Sequence, residues 1–385
     1  MIIELKRREF LFDLSYIALY VALFIGDIYD LGGLDIFARY LRICSYILIF
    51  ISCINLKLKR KEFIWMAVVL LVTAMYGIKT GDLYWSILIL LIYNSKKGNI
   101  DSIFRKSSRI IVTGIIIVLG LCVIGILPDI LTSRDTVEQI NYNRHSFGFY
   151  HSNVLPLLIF YLEVYYICLK KDKAKSSVIT LFMIIAGIVS LFCRSRNALI
   201  LSFALSFVVV FMKVVKKEHR GLYKVTIWSI PCMSIFSFAM LFLLLKGGIW
   251  NTVDSFFSGR FRLAIFKMRR VGLHFINIMS EQDFINDNIA YVNGKHLDSV
   301  ALDNGYLYVI LRYGLLILLF YFIIAYLLAQ KNKKCASVLV AIITVFIANF
   351  VDNDLVDYSF LPFILWAFND WRANNIIKNM KEKVD

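Results

Sequence analysis

The chain has 385 residues, of which 59% are hydrophobic and only 18% charged, with a mean hydropathy of +0.71. An average soluble domain carries about 25% charged residues, so this chain has too little polar surface for a water-soluble enzyme, a disordered chain or a coiled coil. Its net charge of +16 leaves two explanations, a nucleic-acid partner or the basic loops that orient a polytopic membrane protein.

The opening MIIELKRREF is basic and precedes an apolar run, as in a signal peptide. No convincing small-residue cleavage site follows, so it reads as a retained first helix. Apolar runs long enough to cross about 30 Å of hydrocarbon recur along the chain. They fall at 11–27, 40–56, 63–78, 83–94, 110–127, 153–169, 177–193, 197–213, 223–246, 304–330, 335–351 and 355–370. That makes about twelve spans. The fourth is short. The tenth exceeds one straight crossing and is expected to be a short surface helix followed by the true span. The twelfth contains Pro362, which a buried helix tolerates. Continuous rather than alternating runs exclude a β-barrel.

Lys and Arg clusters occupy alternate connections: Lys6 to Arg8, Lys57 to Lys61, Lys96 to Arg109, Lys170 to Lys175, Lys213 to Lys224, Lys331 to Lys334, and the tail from Arg372 to Lys383. With twelve spans all of them fall on one side, which the positive-inside rule makes cytoplasmic together with both termini. That side then holds 28 basic and 11 acidic residues, and the outer side 15 basic and 16 acidic. The excess positive charge becomes an orientation signal and no nucleic acid is implied. The expected fold is an all-α polytopic integral membrane protein, one helical membrane domain over 1–385. Two long extracytoplasmic loops, 128–152 and 247–303, mix aromatic, apolar and charged residues and are expected to pack. One half of the sequence does not repeat the other, which disfavours repeat-built transporters. The seven cysteines form no C-x-x-C pair, and no histidine spacing supports a metal site.

Four constellations carry chemistry. Arg144 to Pro156, RHSFGFYHSNVLP, gathers Arg144, His145, His151 and Asn153 with Phe147, Phe149 and Tyr150 around Gly148. Asn153 and Pro156 read as a helix start. This segment is either a capped interfacial helix with an aromatic belt or a polar cluster facing an anionic lipid-linked substrate. Arg194-Ser195-Arg196-Asn197 puts two arginines in a short outer turn, against the positive-inside rule. They either pair with Asp352, Asp354 or Asp357, or bind a diphosphate through their planar forks. Ser258 to Arg262 opens an amphipathic stretch with Lys267, Arg269, Arg270 and His274. A helix on anionic headgroups explains the later cations, and Arg260 beside Gly259 is the better site candidate. Last, Asp303, Asn304 and Tyr306 stand where the second loop meets the tenth span. Asp303 and Asn304 either cap that helix, or Asp303 acts as a base toward a sugar hydroxyl. His145, His151, His274 and His296 fall outside, and only His219 inside. Glu163 is the clearest intramembrane acid and reads as a structural partner rather than a catalyst.

In this order the motifs resemble those of a Wzy-type polysaccharide repeat-unit polymerase, within the O-antigen polymerase and ligase superfamily. The segment R-x-S-x-G-F-x-H-x-N is carried by Arg144, Ser146, Gly148, Phe149, His151 and Asn153. Ser195, Arg196, Ala198 and Leu199 form the S-R-x-A-L turn, and Gly259 and Arg260 the outer-loop G-R. Asp303, Asn304, Tyr306 and Leu307 lead to Tyr313 and Gly314. The resemblance covers about residues 105–350. It implies a bacterial cytoplasmic-membrane enzyme with an outward-facing site. That enzyme joins oligosaccharide units carried on undecaprenyl diphosphate into a cell-surface polysaccharide, without nucleotide, metal or other cofactor. The acceptor hydroxyl attacks the donor's anomeric carbon and undecaprenyl diphosphate leaves. Within that scheme Asp303, His151 and Arg260 are the catalytic candidates. Arg144, Arg194, Arg196 and Arg260 are the diphosphate ligands, and Tyr150, Asn153, Asn304, Tyr306 and His296 the sugar contacts. Membrane lipid, a flippase and a chain-length regulator are the implied partners. Several ligases carry H-N-x-Y-L where this chain has Asp303-Asn304-Gly305-Tyr306-Leu307, which favours polymerase over ligase. The competing readings are a glycan ligase, a flippase or transporter for the same unit, and an assembly scaffold.

Overall fold

The computed structural model describes residues 2–54, 58–96, 98–134, 142–215, 220–256, 259–280, 283–284, 290–292, 295–297, 302–352 and 355–370. Nine helices precede the second long loop or border the first. They are α1 (Ile2–Ile25), α2 (Leu34–Ile54), α3 (Arg60–Thr80), α4 (Tyr84–Ser95), α5 (Ile100–Val123), α6 (Val154–Lys170), α7 (Ser176–Cys193), α8 (Arg196–Val215) and α9 (Arg220–Leu244). The second loop carries α10 (Ile249–Phe256) and α11 (Arg260–Val271), and the chain continues through α12 (Gly305–Arg312), α13 (Leu315–Asn332), α14 (Ala336–Val351) and α15 (Leu361–Phe368). Two small antiparallel ribbons interrupt the loops: β1 (Leu131–Arg134) with β2 (Tyr142–His145), and β3 (Ala290–Val292) with β4 (Lys295–Leu297).

Among the described residues, seven helices are long and apolar enough to cross a membrane: α2, α3, α5, α7, α8, α9 and α13. They expose continuous apolar faces, as α3 does with Phe63, Trp65, Leu71, Met75 and Ile78. Water penalises such faces and hydrocarbon does not, so these helices are suited to face lipid. The shorter helices form the interior. α4, α6, α12, α14 and α15 bury most of their residues in a single core that includes Phe160, Tyr161, Leu307, Phe346 and Phe363. α15 has eight residues, with Pro362 in its first turn. The proline therefore starts this helix rather than interrupting a longer one.

The long tenth run is broken as expected. α12 and α13 meet at Gly314, whose φ is +94°. A β-carbon there would lie 2.7 Å from the Phe275 carbonyl oxygen and 2.9 Å from the Asn277 nitrogen. Segment 274–277 fills the break, with Leu315 N–H donating to His274 O at 3.1 Å and Asn277 N–H to Tyr313 O at 3.1 Å. Only glycine combines that φ with that backbone approach.

Polar contacts inside the bundle tie helices together. Glu163 is fully buried and accepts hydrogen bonds from Ser206 Oγ at 2.6 Å and from Ser202 Oγ, joining α6 to α8. Tyr16 shares a 2.7 Å hydrogen bond with Ser107, Tyr20 one of 3.2 Å with Tyr165, and Tyr165 donates to Ser359 O at 2.5 Å. Other polar contacts gather at two ends. One end joins Tyr358 to Asp27, Arg312 to Asp82 and Arg144 to Asn153. The opposite end joins Lys96 to Glu62, Lys106 to Asp13, Ser337 to Asp172 and Asn369 to Ser95. Each pair links segments that the charge pattern assigns to the same side.

Candidate active site at the loop-bearing end

The first long loop is organised by one carboxylate. Asp129 Oδ1 accepts the N–H groups of Ser146 and Phe147, both at 2.9 Å, and Oδ2 lies 2.5 Å from His145 Nδ1. Ser146 Oγ accepts the Ile130 N–H at 2.9 Å. Phe149 is fully buried with its ring edge-on to Phe24, and Tyr29 N–H donates to Gly148 O at 3.0 Å. These contacts stitch 146–150 to the end of α1 and deliver His151, Ser152 and Asn153 onto the start of α6.

Arg144 then joins three elements. From β2 its Nη2 donates to Asn153 Oδ1 at 2.6 Å, and its Nε to Cys193 O at 3.2 Å. Asn153 stands at the α6 N-cap position but makes no side-chain cap there, because its carboxamide oxygen serves Arg144. The Asn153 N–H donates to His151 Nδ1 at 3.1 Å. An acceptor Nδ1 places the proton of the neutral ring on Nε2. Burial pushes the His151 pKa down, Arg144 and Arg260 push the same way, and Asp303 opposes them. His151 is therefore a neutral donor at this end. Tyr150 beside it is exposed, its ring centroid 6.3 Å away.

The second loop brings in Arg260, the first residue of α11. Buried Asp254 fixes that start, accepting the Phe261 N–H at 3.0 Å on Oδ1 and the Gly259 N–H at 2.8 Å on its carbonyl. Arg260 Nε lies 3.1 Å from Asp303 Oδ2, and Nη2 lies 3.7 Å from Asp352 Oδ1. The Arg260 side chain is 12% exposed and that of Asp303 45%. Asp352, at the end of α14, is pushed up to about 7, by burial first and by Asp303; Arg260 and a hydrogen bond with Asn197 act against this. Asn197 thus fastens the α7–α8 turn to the cluster. Arg194, left-handed at φ 49°, and Arg196 project from that turn and are exposed.

Several expectations change here. Asn304 and Tyr306 are fully buried. Asn304 caps α12, its Oδ1 accepting the Leu307 N–H at 3.0 Å while its Nδ2 donates to Phe350 O at 2.9 Å and Ser237 Oγ at 3.1 Å. Tyr306 Oη donates to Phe346 O at 2.5 Å. Both fix α12 on α14 and so position Asp303. Asp303 itself pairs with Arg260 and leaves capping to its neighbour. Asp352 is engaged by Arg260 and Asn197, while Asp354 lies outside the described residues. Lys267 is buried rather than on the headgroup face. It donates to Phe284 O with its Nζ 4.1 Å from that ring's centroid. Arg269 and Arg270 remain exposed. His296 sits on β4 opposite Tyr291, and its side chain lies outside the described part.

Asp352 is the residue whose importance the sequence understated. Its only signal was a run of acids after the eleventh apolar stretch. Among the described residues, no group of three or more His, Cys, Asp or Glu side chains is placed to hold a metal ion. Comparison of the chain with known protein families, with characterised proteins and with solved structures gave no match.

Proposed function

We propose that the chain is a membrane polymerase that joins undecaprenyl-diphosphate-linked oligosaccharide units at the outer face of the bacterial cytoplasmic membrane. The observation that carries this reading is the convergence of Arg260, Asp303, Asp352, His151 and Arg144 at one end of an apolar bundle, beside the exposed Arg194 and Arg196. An outward orientation for this end follows from the twelve-span charge pattern.

The chemistry asks for preorganised positive charge where a diphosphate leaves. Arg194 and Arg196 are accessible forks at the start of α8, where the helix dipole also favours an anion. Arg260 is paired with Asp303 and gains a phosphate oxygen by exchanging that carboxylate. Arg144 acts behind them, holding the α6 start against the α7 end. His151 offers its Nε2–H to the leaving oxygen. Tyr150 supplies an exposed aromatic face for a sugar.

The test is gel-resolved polymer length in cells carrying Arg196→Ala or Arg260→Ala, with insertion checked by membrane fractionation. Each variant is expected to lower elongation by about 100-fold or more, the usual cost of losing one transition-state donor, and to leave single repeat units. Normal long polymer from both variants overturns the diphosphate assignment. Long polymer stranded on its lipid carrier identifies a ligase. Units retained on the cytoplasmic leaflet identify a flippase.

A further inference from the structure

The proposed reaction needs a group that removes the acceptor's hydroxyl proton, and the two groups first suggested for this are already engaged. Asp303 is paired with Arg260, so taking a proton breaks that ion pair. His151 uses its Nδ1 lone pair on the Asn153 N–H and lies near two arginines. A third group keeps a ring nitrogen unengaged. His145 Nδ1 lies 2.5 Å from Asp129 Oδ2, and the other Asp129 oxygen is fixed by two backbone N–H groups. Burial raises the pKa of Asp129, but the His145 hydrogen bond and those backbone donors outweigh it and hold the carboxyl below its ordinary value. A carboxylate on Nδ1 sets the tautomer with the proton on Nδ1 and leaves Nε2 as a bare lone pair. Among the described residues nothing is bonded to Nε2, and the side chain is 37% exposed.

The surroundings suit a substrate. The His145 ring stacks on Phe147, with centroids 5.4 Å apart and planes at 19°, and Phe192 meets it edge-on at 6.3 Å. Phe147 has φ +51°, a conformation costly for an aromatic residue and retained where a fold has use for it. Phe192 is exposed and stands two residues before Arg194, and Arg144, next to His145, holds Cys193 O. The histidine therefore borders the turn that presents Arg194 and Arg196.

We propose that the Asp129–His145 pair is the proton acceptor of the transfer, with the acceptor sugar lying over Phe147 and Phe192. This rests on the polymerase reading. The acceptor oxygen forms its bond to the donor's anomeric carbon as that carbon's bond to the diphosphate oxygen breaks. The bonding pair leaves with the diphosphate, and the hydroxyl proton passes to His145 Nε2 and then to water.

The experiment uses membranes containing the full chain. His145→Gln and Asp129→Asn are expected to slow elongation by about 100-fold or more, as loss of a general base does. Carbethoxylation of the wild-type protein, located by mass spectrometry, should label His145 and stop elongation, with recovery on hydroxylamine treatment. Wild-type elongation by His145→Gln, with Arg260→Ala inactive, overturns the base assignment and leaves the polymerase reading standing. Labelled His145 with full activity overturns it equally. Polymer that does not depend on the chain at all removes both readings.

Discussion

At the scale of single residues, the unusual feature is one arginine facing two carboxylates of different exposure. Asp303 is open to solvent and Asp352 is mostly buried, with its pKa pushed up to about 7. A folded-state pKa above the unfolded value means that the native state gains from protonation at low pH and loses that advantage as pH rises through about 7. Above that point Asp352 also becomes a second anion on Arg260 and competes with a bound diphosphate. Asp352→Asn should therefore match wild type in thermal stability near about pH 4 and exceed it increasingly as pH rises to about 7, with a constant margin above that. The same variant should also lose the alkaline-side weakening of diphosphate binding. Melting temperatures in detergent and titration with undecaprenyl diphosphate across that range measure the two effects. A constant difference between the proteins would show that Asp352 does not titrate in this window.

At the scale of elements, α12 is the part that places Asp303, and its hold on α14 is tight. Gly305 N–H donates to Asp352 O at 3.2 Å, and a β-carbon on Gly305 would lie 3.0 Å from Asn349 O. That neighbour is helix backbone and cannot turn aside. Gly305→Ala should cost roughly 1–3 kcal/mol by overpacking and tilt α12 away from α14, so elongation falls further than protein level does. Tyr306→Phe removes only the bond to Phe346 O and should cost about 1 kcal/mol with activity largely kept. Equal effects of the two substitutions on elongation would argue against α12 as a positioning element. The sequence made much of this legible and part of it not. The D-N-G-Y-L segment was visible as a helix start, because a cap is a local, spacing-dependent signal. Which of Asp303 and Asn304 caps, and which faces outward, depended on Ser237 and Phe350 from distant helices. The Asp129–His145 pair was similarly hidden, since a ribbon and turn bring together residues that no spacing rule connects.

At the scale of the whole molecule, hydrophobic content and loop charge pointed to a helical membrane bundle, and seven long apolar helices agree with it. Length alone would have missed the interior, where α4 and α15 are too short to be counted as spans. Both bury most of their residues in the core. Their polar flanks lie together: Asn369, after α15, donates to Ser95 O at the end of α4 and to Gly98 O beyond it. Lys331 meets Trp366 O at that same end. If both short helices complete a crossing, Lys171 and Lys333 share the side of Lys96, and the Arg260 cluster lies opposite. Reporter fusions at Lys171 and Lys333 should then both give a cytoplasmic signal, and a fusion after Asp129 an extracytoplasmic one. A cytoplasmic signal after Asp129 would place the arginine cluster beside nucleotide-rich water, where a lipid-linked donor already flipped outward cannot reach it, and the polymerase reading would fail on geometry alone.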